Sequence, residues 1–262
     1  MNNEPKLLAE PKQGVPQVIE TAQAFEDMCE RFAYASGPVA ADAERAAGFR
    51  YTHDDYLVQF KREGAGIALV DPQAVAADGA DWAEFMQAVG DAEFILHDSA
   101  QDLPGFADLG IRPHALFDTE LAARLLGLER FGLAYVTERY LGLTLAKEHS
   151  AADWSHRPLP RDWRNYAALD VELLIELREA MMRDLKAAGK EEWARQEFAY
   201  ALEHGMQPRK PKTQPWRHIS HITELQRDGQ GLAIARAVGK TRHTGPRLRH
   251  RANIAIVRPR DY

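Results

Sequence analysis

Cysteine is almost absent from this chain: Cys29 is the single thiol in 262 residues. That excludes a disulfide-stapled scaffold and a cysteine-based zinc site, and it fits a reducing compartment, so a cytoplasmic location is expected. No stretch approaches the ~18 consecutive apolar residues of a membrane span, and no membrane partner is expected. The opening residues, MNNEPKLLAEPKQGVPQ, lack the apolar core of a secretory signal. Internal repeats are missing as well. Cys29 reads as an ordinary helix residue rather than a nucleophile.

What the chain does have is charge, unevenly placed. The total of 33 Lys+Arg against 39 Asp+Glu leaves a net charge of −6. Residues 1–206 hold 20 basic and 36 acidic side chains, whereas residues 207–262 hold 13 and 3, and ten of those 13 are Arg. An acidic body of net −16 therefore carries a basic tail of net +10. Such asymmetry points the tail toward a polyanionic partner, and an Arg-rich composition favours phosphate contact over mere solvation. With 45% hydrophobic residues the body can bury a sizeable core.

The pattern along the body is α/β. Residues 1–15 hold two prolines and no periodicity, and read as a loose leader. Helical spacing of Phe25, Met28, Cys29 and Phe32 predicts a helix over Ala22–Tyr34, broken by Gly37-Pro38. Strands are predicted at Val39–Glu44, Tyr56–Lys61 and Ile67–Val70, the last two joined by a hairpin turn at 63–66. A helix at Trp82–Val89 and a buried strand at Glu93–His97 follow. Helices are then predicted at Leu103–Leu109, at Thr119–Leu126 with Asp118 as N-cap, and at Leu133–Tyr140. One long helix from Arg161 to about Ala188 and another over Glu191–His204 complete the body. Strands first and helices interleaved later, with a hairpin among them, imply a mixed sheet. Residues 207–218 read as a Pro/Lys/Arg-rich linker, and Ile219–Val238 as one or two short helices, with no helix predicted from Gly239 onward.

Three segments carry candidate chemistry. In Val39-Ala40-Ala41-Asp42-Ala43-Glu44, the acids at i and i+2 share one strand face. Two acids on a buried strand are costly without a cation; a solvated strand end is the other reading. In His97-Asp98-Ser99-Ala100-Gln101-Asp102, Asp102 lies where a strand gives way to a helix, the usual place for sites in open α/β sheets, although a first-turn acid there also suits the helix dipole. In Tyr166-Ala167-Ala168-Leu169-Asp170, the Tyr and Asp at i and i+4 share a helix face. Separately each pattern is commonly structural. Together they supply four oxygen donors from three elements, which is what hard divalent cations require, and two such ions about 3.5–4 Å apart can clamp an in-line phosphoryl displacement.

The order Asp-x-Glu, His-x4-Asp, Tyr-x3-Asp resembles the DEDDy class of 3′→5′ exonucleases, and the surrounding text resembles ribonuclease D. That text includes Phe49-Arg50-Tyr51, Tyr56-Leu57-Val58-Gln59, Phe117–Ala123, Lys147–Leu159 (KEHSAADWSHRPL) and Tyr166–Val171 (YAALDV). The resemblance covers 16–206 and implies a ribonuclease H-like 3′-5′ exonuclease fold. It also implies that Asp42, Glu44, Asp102 and Asp170 bind two Mg²⁺ or Mn²⁺ ions and that Tyr166 orients the attacking water. The implied activity is removal of 3′-terminal nucleotides as nucleoside 5′-monophosphates from RNA, with tRNA precursors the expected partner and a monomeric chain the expected state. DNA as the substrate, or a non-catalytic RNA-binding protein on the same fold, are the alternatives. His97, Gln101 and Trp163 are candidate substrate contacts, with helix packing the other reading for Trp163.

Departures from the family pattern are visible. Its usual Asp-Thr-Glu-Phe is Asp42-Ala43-Glu44-Arg45 here, Asp98 adds an acid, and Trp163 replaces a frequent Gln. Pro215-Trp216-Arg217-His218-Ile219 resembles the entry to a helical HRDC module, and residues 219–262 read as a short, basic, incomplete version of one.

Overall fold

The computed structural model describes residues 5–46, 49–50, 52–145, 149, 151–208, 214–218, 221–225 and 227–244. Two short strands come first, β1 (Lys6–Leu8) and β2 (Val18–Ile19). Helix α1 (Ala22–Tyr34) has the predicted bounds; the Thr21 side chain accepts from Ala24 N, and Phe25, Met28, Cys29 and Phe32 form its buried stripe. Strands β3 (Ser36–Arg45), β4 (Asp55–Glu63) and β5 (Gly66–Val70) are antiparallel neighbours. The predicted turn joins the last two, with Gly64 at φ 88° and Gly66 at φ 77° supplying the left-handed backbone. Gly37-Pro38 proves to lie inside β3, where a register shift between Ser36 and Val39 absorbs the proline.

Helices α2 (Pro72–Ala77) and α3 (Trp82–Val89) lead to β6 (Glu93–Leu96), which ends one residue short of His97. Helix α4 (Ser99–Leu109), strand β7 (Ala115–Asp118), α5 (Thr119–Leu126) and α6 (Leu133–Leu141) follow, then β8 (Leu143–Leu145). Asp118 caps α5 as expected, accepting from Glu120 N and Leu121 N at 2.8 and 3.0 Å. The six-stranded sheet runs β2-β5-β4-β3-β6-β7, with β3 antiparallel to β4 and parallel to β6, so the expected mixed α/β sheet is present. Strand β4 is buried on both faces. Val58 and Phe60 join one apolar cluster with α1 and α3, while Leu57 joins Leu69, Trp154, Ala167 and Ala168 on the other.

Further expectations are corrected by the structure. Helix α4 begins at Ser99 rather than Leu103, because Ser99 N donates to the Asp118 carboxylate and sets an earlier first turn. The helix predicted from Arg161 to about Ala188 is two helices, α7 (Arg161–Glu172) and α8 (Leu174–Ala187), with Leu173 between them at φ −107°, ψ −1°. The apolar stripe is continuous across this point, but the Lys61 ammonium of β4 donates to the Glu172 carbonyl, taking an acceptor that a continuous helix would use. Residues 5–15 of the leader expected to be loose are also organised, and the expectation for 1–4 lies outside the described residues. Strand β1 pairs in parallel with β8, and Arg161 and Asn165 of α7 bond the Glu10 carboxylate and the Ala9 carbonyl.

Helix α9 (Glu191–Gly205) matches its prediction within a residue. Beyond it lie 3-10 turns at Pro215–His218 and Ile222–Leu225 and helix α10 (Gly229–Thr244), which continues six residues past the Val238 limit expected from periodicity. The expectation for 245–262 lies outside the described residues. Among the described residues, no helix is long and apolar enough to cross a membrane.

Candidate active site

Asp42 and Glu44 sit on the carboxyl half of β3 and share its face toward α7, as the i, i+2 spacing requires. The parallel ladder between β3 and β6 holds only at Val39 and Ala40, so beyond it the two strands diverge. The start of α4 comes into that gap and places Asp102 in its first turn. Two devices set this turn: Asp98 adopts a left-handed φ of 62°, and Ser99 N donates to the Asp118 carboxylate at 2.8 Å. Asp118 therefore serves the entry to both α4 and α5, which explains an acid that is 1% exposed.

Helix α7 brings the third segment. Ala167 and Ala168 are fully buried, and their small side chains let the helix lie close over the sheet. This aims Tyr166 and Asp170 at β3. Ligand oxygens of Asp42, Glu44 and Asp170 all lie within 4.8 Å of one another. The Tyr166 hydroxyl donates to the Asp170 carboxylate. Gln59, fully buried and opposite Asp42 in the ladder, donates its Nε2 to Asp42 Oδ2 at 2.7 Å.

Electrostatics at this cluster are unfavourable without a cation. Burial, then Asp170, push Asp42 up to about 8. Burial outweighs the Tyr166 hydrogen bond and, with Asp102, lifts Asp170 to about 7. Glu44 is pushed well up by burial and by Asp42, Asp170 and Asp102. Burial and Asp42 push Asp102 up as well, while the Arg45 guanidinium opposes them. Burial and the neighbouring acids hold the Tyr166 hydroxyl above its ordinary range, so it stays a neutral donor. Three carboxylates, largely withdrawn from solvent and with converging oxygens, are hard donors of the kind that suit Mg²⁺ or Mn²⁺, and the residues present fit such an ion.

A pH signature follows from these shifts. In chelator, the folded chain keeps protons on Asp42 and Asp170 up to about 8 and 7, whereas unfolded carboxyls release theirs near 3.8. Across that window the folded state binds more protons, so its stability falls as pH rises. Melting temperatures in chelator should therefore drop between about pH 5 and pH 8, and saturating Mn²⁺ should remove the drop by replacing protons with metal. A chelated melting temperature that climbs over this range would contradict the arrangement.

Asp102 stands apart from the convergent three. Its Oδ1 accepts from Arg45 Nη2 at 2.8 Å, and Arg45 Nη1 also donates to the Gln101 carbonyl at 2.6 Å and lies 3.4 Å from Asp55 Oδ1. Asp55 is held against α4 because residue 105 is glycine: a Cβ there would meet Asp55 Oδ2 at 2.1 Å. Arg45, Asp55 and Gln59 had no assigned role from sequence. Arg45 carried one signal, its replacement of the family's Phe beside the acids, but nothing local foretold a reach to residue 102.

The three candidate substrate contacts have protein partners. His97 Nδ1 pairs with Thr119 Oγ1 at 2.8 Å, and burial lowers its pKa. The Gln101 amide bonds Asp98. Trp163 packs against Trp154 at 5.5 Å, His149 at 5.8 Å and His156 at 6.1 Å, centroid to centroid, which is the packing alternative. Cys29 is buried with its thiol pushed up to about 12 by burial, consistent with an inert helix residue.

Residues 16–186 match the description of a 3′-5′ exonuclease family. Ribonuclease D of Sphingobium indicum is 31% identical over 204 residues, covering 77% of this chain and 52% of that protein. The structure of Escherichia coli RNase D, described as an exoribonuclease involved in structured RNA processing, is similar with a TM-score of 0.64 at 28% identity, over 79% of this chain and 54% of that one. A crystal structure of a protein from Bifidobacterium adolescentis has a TM-score of 0.87 and 69% identity over 91% of this chain and 58% of that one. The fold is thus the ribonuclease H-like α/β fold of these exonucleases. The chain spans about half the length of the curated relatives it matches.

Proposed function

Because the chain belongs to the 3′-5′ exonuclease family, we propose that it is a divalent-metal-dependent 3′→5′ exoribonuclease that trims RNA 3′ ends, with tRNA precursors among its substrates. The observation that carries this reading is the convergence of Asp42, Glu44 and Asp170 from β3 and α7, with the Tyr166 hydroxyl bonded to Asp170. Bound Mg²⁺ or Mn²⁺ ions, two in this reading, would neutralise the acids and the phosphate and polarise the scissile phosphodiester. Asp42, Glu44 and Asp170 would hold them, with Asp102 beside the site. Tyr166, kept neutral by burial and by its acidic neighbours, would orient the attacking water by accepting a hydrogen bond from it on the hydroxyl oxygen, whose own hydrogen is held by Asp170. Hydrolysis joins the water oxygen to phosphorus and breaks the bond to the 3′ oxygen of the preceding nucleotide, releasing a nucleoside 5′-monophosphate. All these side chains come from one chain, which supports action as a monomer, and the lone buried thiol agrees with a reducing cytoplasm.

Incubation of a 3′-extended tRNA precursor with Mg²⁺ tests the reading. Stepwise 3′ shortening is expected, with none for Asp42→Ala; absence of shortening, or equal shortening by that variant, would refute it. Matched RNA and DNA oligonucleotides distinguish the sugar preference, with faster loss of RNA expected.

The basic segment would supply grip that an acidic body of net −16 cannot. Deleting residues 207–262 should weaken RNA binding and lower the slope of log K against log salt by about 0.7 for each phosphate that the shortened chain leaves unneutralised. An unchanged slope would assign the tail to solvated surface.

A further inference from the structure

Arg45 follows Glu44 directly, yet its side chain leaves β3 for α4. It is held there by three groups from two other elements: Asp102 Oδ1 at 2.8 Å, the Gln101 carbonyl at 2.6 Å and Asp55 Oδ1 at 3.4 Å. Its side chain is 17% exposed, those of Asp55 and Asp102 are 0% and 4% exposed, and Gly105 leaves the space that Asp55 occupies. A guanidinium remains charged at any pH the fold survives, and its planar fork is preorganised for a carboxylate. The acid that the family pattern assigns to metal binding therefore already has a built-in cation bonded to it. Asp42, Glu44 and Asp170 converge on one another instead, beyond reach of a direct ion pair with that guanidinium.

We propose that Arg45 is a positioning residue that makes the cation positions of this site unequal. The group of Asp42, Glu44 and Asp170 takes one divalent ion without rearrangement. A second ion must compete with the Arg45 guanidinium for Asp102, and it binds only as that ion pair loosens. The inference rests on the nuclease reading above. Its physical basis is simple: a divalent ion and a guanidinium cannot share one buried carboxylate without mutual repulsion, and removing either partner of a buried pair is costly.

The test counts ions rather than turnover. Mn²⁺ is titrated into the full chain by calorimetry and by the electron paramagnetic resonance signal of free Mn²⁺, for wild type, Arg45→Gln, Arg45→Lys and Arg45→Gln/Asp102→Asn. Wild type should show one tighter ion and a second weaker by about 10–100-fold, the range by which groups supporting metal ligands tune affinity. Arg45→Gln should tighten the second ion by roughly tenfold or more, Arg45→Lys should stay near wild type, and the double variant should lose the gain.

A purely structural Arg45 would leave the second ion's affinity unmoved by Gln, and that result overturns the proposal. Two ions of equal affinity in wild type overturn it too, and this arm decides even if Arg45→Gln fails to fold. Absence of any Mn²⁺ binding by wild type would instead remove the nuclease reading itself, together with this inference.

Discussion

Asp170→Asn should reduce 3′-end trimming by three orders of magnitude or more while raising the melting temperature of the chelated protein. The activity loss follows from the donor set. Asp170 is one of three convergent oxygen ligands, and a bound metal contributes several kcal/mol of charge stabilisation in the transition state, which converts to roughly 10³-fold in rate. Asn can still accept the Tyr166 hydrogen bond, so the variant removes charge and metal affinity with little change of shape. The stability gain has the opposite origin. In chelator, Asp170 is a half-buried acid pushed up to about 7 by desolvation and by Asp102, so at alkaline pH the wild type holds an uncompensated charge that the amide lacks. Trimming kinetics and thermal melts on the same preparations check both halves. Activity within tenfold of wild type would remove Asp170 from the site, and a lower melting temperature in chelator at about pH 8 would contradict the electrostatic account.

Phe60→Ala should be the most damaging single change to stability, at about 3–5 kcal/mol. Phe60 is fully buried on β4, with its ring centroid 4.4 Å from Phe85, 6.1 Å from Trp82, 6.3 Å from Phe106 and 6.4 Å from Phe94. Truncation leaves a cavity ringed by rigid aromatics on different elements, which cannot collapse to fill it. The side chain faces away from the acids, because its neighbours in sequence, Gln59 and Lys61, point to the α7 side. At temperatures where the variant is folded, trimming per folded molecule should therefore stay near wild type. At about 2–4 °C per kcal/mol for a body of this size, a melting-temperature loss near 10 °C is expected, read by circular dichroism. A loss of only a degree or two would mean that this cluster repacks.

Much of the fold is legible in local sequence. The bounds of α1, α3 and α5 agree with their apolar period and caps, since Thr21, Asp81 and Asp118 each accept from backbone N–H groups at the entering turn. The shared faces of Asp42 with Glu44 and of Tyr166 with Asp170 are likewise consequences of strand and helix geometry. The convergence of three of those residues was legible through the resemblance rather than through spacing, since no local rule brings residue 42 to residue 170.

What tertiary structure alone decided lies in contacts between residues far apart in the chain. Lys61 reaches the Glu172 carbonyl and divides one apolar stripe into α7 and α8. Strand β1 finds β8 and turns a Pro-containing leader into part of the body. Trp163 packs into an aromatic group with Trp154, His149 and His156. Arg45 crosses to Asp102, 57 positions away, and gives one of four expected acids a cation of its own. Periodicity and capping act over a few residues, and they set the elements and the faces that those elements present. Which long side chain on one element reaches a carbonyl or carboxylate on another depends on how the elements are stacked, and that stacking is a property of the whole core.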